Sequence, residues 1–187
     1  MKKALIIMLV AAIGLSAAFA QSYVGVKLTY PGLLGVSKGT DLDSRFGLEG
    51  SVYLPIPFYL FSLIDSSEAE KPSPMEILSY PALQAKAVFK LIDTKPFDLS
   101  LGASGTAQGA IDFANKGFAV YCIFGPEAEI DIRLGEKVSL NIAASYPITG
   151  WEFSYSKQTE EGLDPIGVAL FIGLCTQIAQ VSVNFAL

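Results

Sequence analysis

Val181-Ser182-Val183-Asn184-Phe185-Ala186-Leu187, the last seven residues of the chain, set large apolar side chains at every second position and small or polar ones between them. Successive side chains of a β-strand point to opposite faces, so the stretch reads as a strand with one apolar and one polar face. The same division recurs upstream. Val24, Val26 and Leu28 share one phase, as do Phe46, Leu48, Val52 and Leu54, while Lys27, Glu49, Ser51, Ser182 and Asn184 occupy the other. A pattern repeated from residue 22 to residue 187 predicts one sheet closed on itself, a single barrel domain over residues 21–187.

The residues before this pattern have a different character. Lys2 and Lys3 precede an apolar run from Ala4 to Leu15 and the small-residue site Ala18-Phe19-Ala20, which together read as a secretory signal peptide over residues 1–20, cleaved before Gln21. Beyond it no segment approaches the roughly 18 consecutive apolar residues of a membrane-spanning helix. If the mature chain spans a membrane, it must do so as a closed barrel, because only helices and closed barrels satisfy every backbone group in lipid. The formal charge of the full chain is −5, and loss of Lys2 and Lys3 makes it more acidic, which argues against nucleic acid as a partner. Cys122 and Cys175 fall in opposite phases of their strands, a placement that cannot meet disulfide geometry.

Eight strands are predicted, over residues 22–37, 43–54, 81–92, 96–107, 117–134, 137–147, 165–175 and 178–187. Around the turn Asp93-Thr94-Lys95, one register sets Leu91 against Phe97, Phe89 against Leu99, and Lys90 against Asp98. Around Gly135-Glu136-Lys137 another sets Ile132 against Leu140, Ile130 against Ile142 and Asp131 against Asn141. The insertion from Pro55 to Tyr80 carries Phe58, Tyr59 and Phe61, expected at a membrane surface, and Ser73-Pro74-Met75-Glu76, a capping box for a short helical turn. Tyr146, Trp151, Phe153 and Tyr155 are expected in the same interfacial role.

Alternation alone also fits a soluble periplasmic barrel that carries a lipid or other apolar ligand with its apolar face inward. The less apolar face separates the two. In residues 165–175 it holds Gly167, Ala169, Phe171, Gly173 and Cys175, with no charge to solvate it in water. Elsewhere that face collects Lys27, Glu49, Lys86, Lys90, Asp98, Glu127, Glu129, Asp131 and Arg133, four basic against five acidic groups. A closed interior tolerates charges only when they are paired and hydrogen-bonded, so this balance points to an interior charge network with the apolar face turned to lipid. The expected fold is all-β: a closed antiparallel up-and-down transmembrane β-barrel of eight strands.

On these features the chain resembles the small eight-stranded outer-membrane barrel proteins, the group that includes the OmpA transmembrane domain. The resemblance is architectural and covers residues 21–187. It implies the outer membrane of a diderm bacterium and outer-membrane lipid as partner. A structural, envelope-stabilising or loop-mediated role is expected in place of an open pore, because side chains fill the interior of a barrel of about eight strands, here Phe171, Tyr53 and the charged cluster. Two features depart from the group. Its C-terminal strand usually ends on an aromatic, whereas here the last residue is Leu187 and the aromatic is Phe185. Its termini and short turns normally share the periplasmic side, whereas the predicted strands put the long connections on the side of the termini.

Chemistry is sparse. The chain has no histidine, which removes the usual hydrolase triad and most zinc sites, so no enzymatic activity and no cofactor are expected. Glu127, Glu129 and Asp131 project to one face at a spacing of two. They read either as a cation site, since clustered oxygens suit Ca²⁺, or as partners of Lys27, Lys86, Lys90 and Arg133, and the second is the expectation. Glu68, Glu70, Glu76, Glu160 and Glu161 would place divalent cations, if any, at the acidic loops.

Overall fold

The computed structural model describes residues 22–30, 32–56, 60, 78, 80–112, 117–155 and 179–187. Their strands are β1 (Ser22–Tyr30), β2 (Leu33–Asp41), β3 (Phe46–Leu54), β4 (Ala82–Asp93), β5 (Phe97–Asp112), β6 (Gly117–Arg133), β7 (Val138–Ser145), β8 (Thr149–Tyr155) and β9 (Ala179–Ala186). Every pairing is antiparallel, and β5–β6 joins the two ends of the sheet. The result is a closed eight-stranded barrel. It has eight staves and not nine because β7 and β8 both border β6, one along Glu127–Arg133 and the other along Phe118–Phe124.

β7 and β8 are one stave broken by a bulge. Three residues, Tyr146, Pro147 and Ile148, stand opposite two on β6, Gly125 and Pro126. Tyr146 N–H donates to the Pro126 carbonyl at 3.0 Å and Ile148 N–H to that of Phe124 at 2.9 Å, so the ladder survives. The extra residue reverses the side-chain phase: Ile142 faces outward at an even position, Trp151 and Phe153 at odd ones. Gly125 permits the close approach, since a Cβ there would lie 2.0 Å from the Tyr146 carbonyl oxygen. Gly125→Ala should therefore destabilise the barrel by roughly 1–3 kcal/mol, the range for overpacking. Urea unfolding of the protein in detergent micelles measures this, and an unchanged midpoint would show that the bulge relaxes freely.

Three sequence expectations need correction. The predicted strand 22–37 is two strands, because Pro31 has no ladder donor and Gly32 takes φ 150°, which turns the chain. Around the β4–β5 turn, Lys90 faces Ser100 and Phe89 faces Leu101, with Leu91 bulged out of the ladder. The expected register would have required Pro96, which lacks an N–H, to pair within the ladder. Finally, β7 pairs directly with β9, so no strand stands between them; the predicted strand 165–175 lies outside the described residues, as does the capping box. The register at the β6–β7 turn is the expected one, with Ile132 opposite Leu140 and Asp131 opposite Asn141.

Splitting the first strand re-sorts the connections. The short turns 42–45, 94–96 and 134–137 now share one rim with Ser22 and Leu187, while the connections at 31–32, 55–81, 113–116 and 156–178 leave from the other. The expected departure from the resembled group is thereby removed. In the β2–β3 turn, Asp43 Oδ1 accepts the backbone N–H groups of Arg45 at 2.7 Å and Phe46 at 2.6 Å, which hold its carboxyl below the usual carboxylate range.

Candidate functional site

The barrel is dressed inside out. Adjacent residues on β1 make the point: Val26 is 50% exposed and Lys27 is 0% exposed. Val24, Leu28, Val36, Val52, Leu83, Leu101, Ile130, Ile142, Val181 and Phe185 also face outward, whereas Lys27, Glu49, Ser51, Gln84, Lys86, Glu127, Asn141, Gln180 and Ser182 are buried in the lumen. An apolar-inward barrel is not what these residues build. A small apolar cluster of Leu33, Tyr53 and Ala82 lies inside near the rim opposite the termini.

The lumen is crossed by an ionic cluster. Lys27 of β1 donates to Glu49 Oε1 of β3, and Ser51 Oγ donates to the same oxygen at 3.0 Å. Tyr23 OH donates to Glu49 Oε2 at 2.7 Å. Lys86 of β4 pairs with Glu129, with Glu127 Oε1 at 3.2 Å and with Glu49 Oε1 at 3.8 Å. Burying such groups is costly, and only this many mutual contacts offset the lost hydration. Above the cluster, Tyr53 OH donates to Gln84 Oε1 at 2.8 Å.

A second tier lies toward the termini, around a cavity of about 470 Å³ whose walls include Tyr23, Glu49, Lys90, Glu129 and Asp131. Lys90 Nζ donates to Asp41 Oδ2 at 2.7 Å. Arg133 clamps both oxygens of Asp98 at 2.8 Å and also reaches Asp93 Oδ1 at 2.8 Å. Lys90 was expected to face Asp98; the bulge at Leu91 gives that carboxylate to Arg133 instead.

Thus Lys27, Glu49, Lys86, Asp98, Glu127 and Glu129 are buried in the lumen, Lys90 and Asp131 are half-buried, and Arg133 stands at the rim. Among the described residues no group of three or more acidic or cysteine side chains is placed to hold a metal ion, and both Glu127 and Glu129 turn to Lys86. Tyr23, Asp41 and Asp93 complete the network without having been singled out in the sequence. Tyr23 shares the phase of Lys27 and was legible on that ground; Asp41 fell between two predicted strands.

Tyr146, Trp151 and Phe153 point outward, 55–66% exposed, and Trp151 meets Phe124 edge to face at 5.3 Å. Tyr155 ends β8 opposite Phe118. Phe58, Tyr59 and Phe61 lie outside the described residues, as do Cys175 and the acidic loop residues Glu68, Glu70, Glu76, Glu160 and Glu161. Cys122 is a free thiol.

No family model and no curated protein matches the chain. Among solved structures it is similar to Acinetobacter baumannii CarO, at 11% identity and a TM-score of 0.39 over 92% of this chain and 99% of that one. It is also similar to Ail, the attachment invasion locus protein of Yersinia pestis, at 10% identity and a TM-score of 0.36 over 89% of this chain and 95% of that one.

Proposed function

We propose that this chain is an outer-membrane barrel of a diderm bacterium, exported by a signal peptide over residues 1–20, with an envelope-stabilising or loop-presenting role. The observation that carries the reading is the inversion of faces. A band of Val, Leu, Ile and Phe encircles the barrel, far larger than the few hundred Å² of contiguous apolar surface that soluble monomers expose. Lipid is the natural solvent for that band, and it is the principal partner on this reading. The ionic cluster fills the lumen as side chains do in other barrels of about eight strands, which favours a plugged scaffold over an open pore. Among the described residues, the Ser51 and Tyr23 hydroxyls that meet the Glu49 carboxylate belong to the packed lumen cluster, and the reading is not enzymatic. The rim that carries the termini and short turns faces the periplasm, and the long connections face outward.

Fractionation of cells expressing the full-length chain, followed by electrophoresis of the detergent extract with and without boiling, tests this reading. The expected result is recovery in the outer membrane with a heat-dependent mobility shift. Recovery in the soluble periplasmic fraction without a shift would overturn it.

A further inference from the structure

Among the described residues of the strands, Lys38 is the one charged side chain on the outward face. β2 alternates inward Gly35, Ser37 and Gly39 with outward Leu34, Val36 and Lys38, and none of the ion pairs described above engages Lys38. It lies three residues from Asp41, at the termini end of the band. A lysine on a lipid-facing strand is tolerated near the interface but not at the midplane, so Lys38 marks that edge.

Beside it the wall is hollow. Lys38 pairs with Gly50 of β3 and Val24 of β1, and Val24 pairs in turn with Phe185 of β9. A Cβ built on Gly50 would meet nothing within 4 Å. Gly50 lies in a surface hollow of about 430 Å³, walled by Val24, Val26, Val36, Val52 and Phe185 and bordered by Lys38. An apolar notch with a single cation at its interfacial edge is complementary to one amphiphile, an anionic lipid with an acyl chain against the valines and its phosphate at the ammonium.

We propose that the Gly50 notch with Lys38 is a binding site for an anionic phospholipid. The proposal rests on the membrane reading above. Lys38 selects the headgroup and Gly50 makes room for the chain; neither takes part in the lumen network, so both can be changed without disturbing it.

The test uses the whole mature barrel, refolded into micelles, with the heat-dependent shift confirmed first for the native chain, Lys38→Gln and Gly50→Leu. Native mass spectrometry then counts retained phosphatidylglycerol against phosphatidylcholine. The native chain should hold phosphatidylglycerol with a preference of about five-fold, the scale for one lysine beside an anionic lipid surface. Lys38→Gln should abolish the preference, and Gly50→Leu should lower retention of both lipids. Equal retention of the two headgroups by the native chain, or a preference that survives Lys38→Gln, overturns the site while leaving the membrane reading intact. Failure of the native chain to fold in micelles overturns both.

Discussion

Lys86→Leu is expected to destabilise the barrel by about 3–5 kcal/mol, the cost of removing one partner from a buried ion pair and stranding the other. Lys86 is the common cation of Glu49, Glu127 and Glu129, and the side chains of the first two are 2% and 0% exposed. Leucine would fill the space but leave three carboxylates with only Lys27 among the cluster's cations. Urea titration in micelles, followed by the fraction of heat-shiftable protein, measures the loss. Adding Glu127→Gln should recover part of it, because a neutral amide no longer needs the ammonium. A single variant as stable as the native chain would mean that position 86 does not carry the lumen's charge balance.

Leu28→Arg is expected to cost about 2–4 kcal/mol of stability in a phospholipid bilayer, the range for arginine at the midplane of a lipid-facing strand. Its position follows from Lys38. Leu34 lies four residues from Lys38 along β2, roughly 10 Å along the barrel axis for strands tilted near 40°, close to the middle of an apolar band about 25 Å tall. Leu28 is its partner on β1 and is 50% exposed. In water the same substitution would replace an exposed leucine by a solvated cation and cost nothing. Comparing bilayer-refolded native and variant chains thus separates lipid from water as the solvent of the outer face, and equal stability would count against the membrane reading.

Much of this organisation was legible residue by residue. Val26 and Lys27, or Leu48 and Glu49, declare opposite faces from their positions alone, and a register error of two residues at the β4–β5 turn left those faces unchanged because two is the side-chain period. The candidate cluster was readable for the same reason, and so was Tyr23, which shares the phase of Lys27; Asp41 and Asp93 were not, because they lie outside the predicted strands. Lys38 was missed because the predicted strand 22–37 ends one residue before it. Once β2 is set at Leu33–Asp41, its outward phase is plain.

The sequence by itself determined the alternation, and with it a closed all-β barrel whose two faces differ in polarity. Only the tertiary structure decided which charges meet, where the staves break and which rim holds the termini. Side-chain phase is local, a consequence of two residues per strand repeat. Pairing depends on turns and bulges: one extra residue at Tyr146-Pro147-Ile148 reverses a face, and one at Leu91 leaves Asp98 to Arg133 and Lys90 to Asp41. Those choices are made between strands distant in the chain, where the ladder and the burial of charge act together.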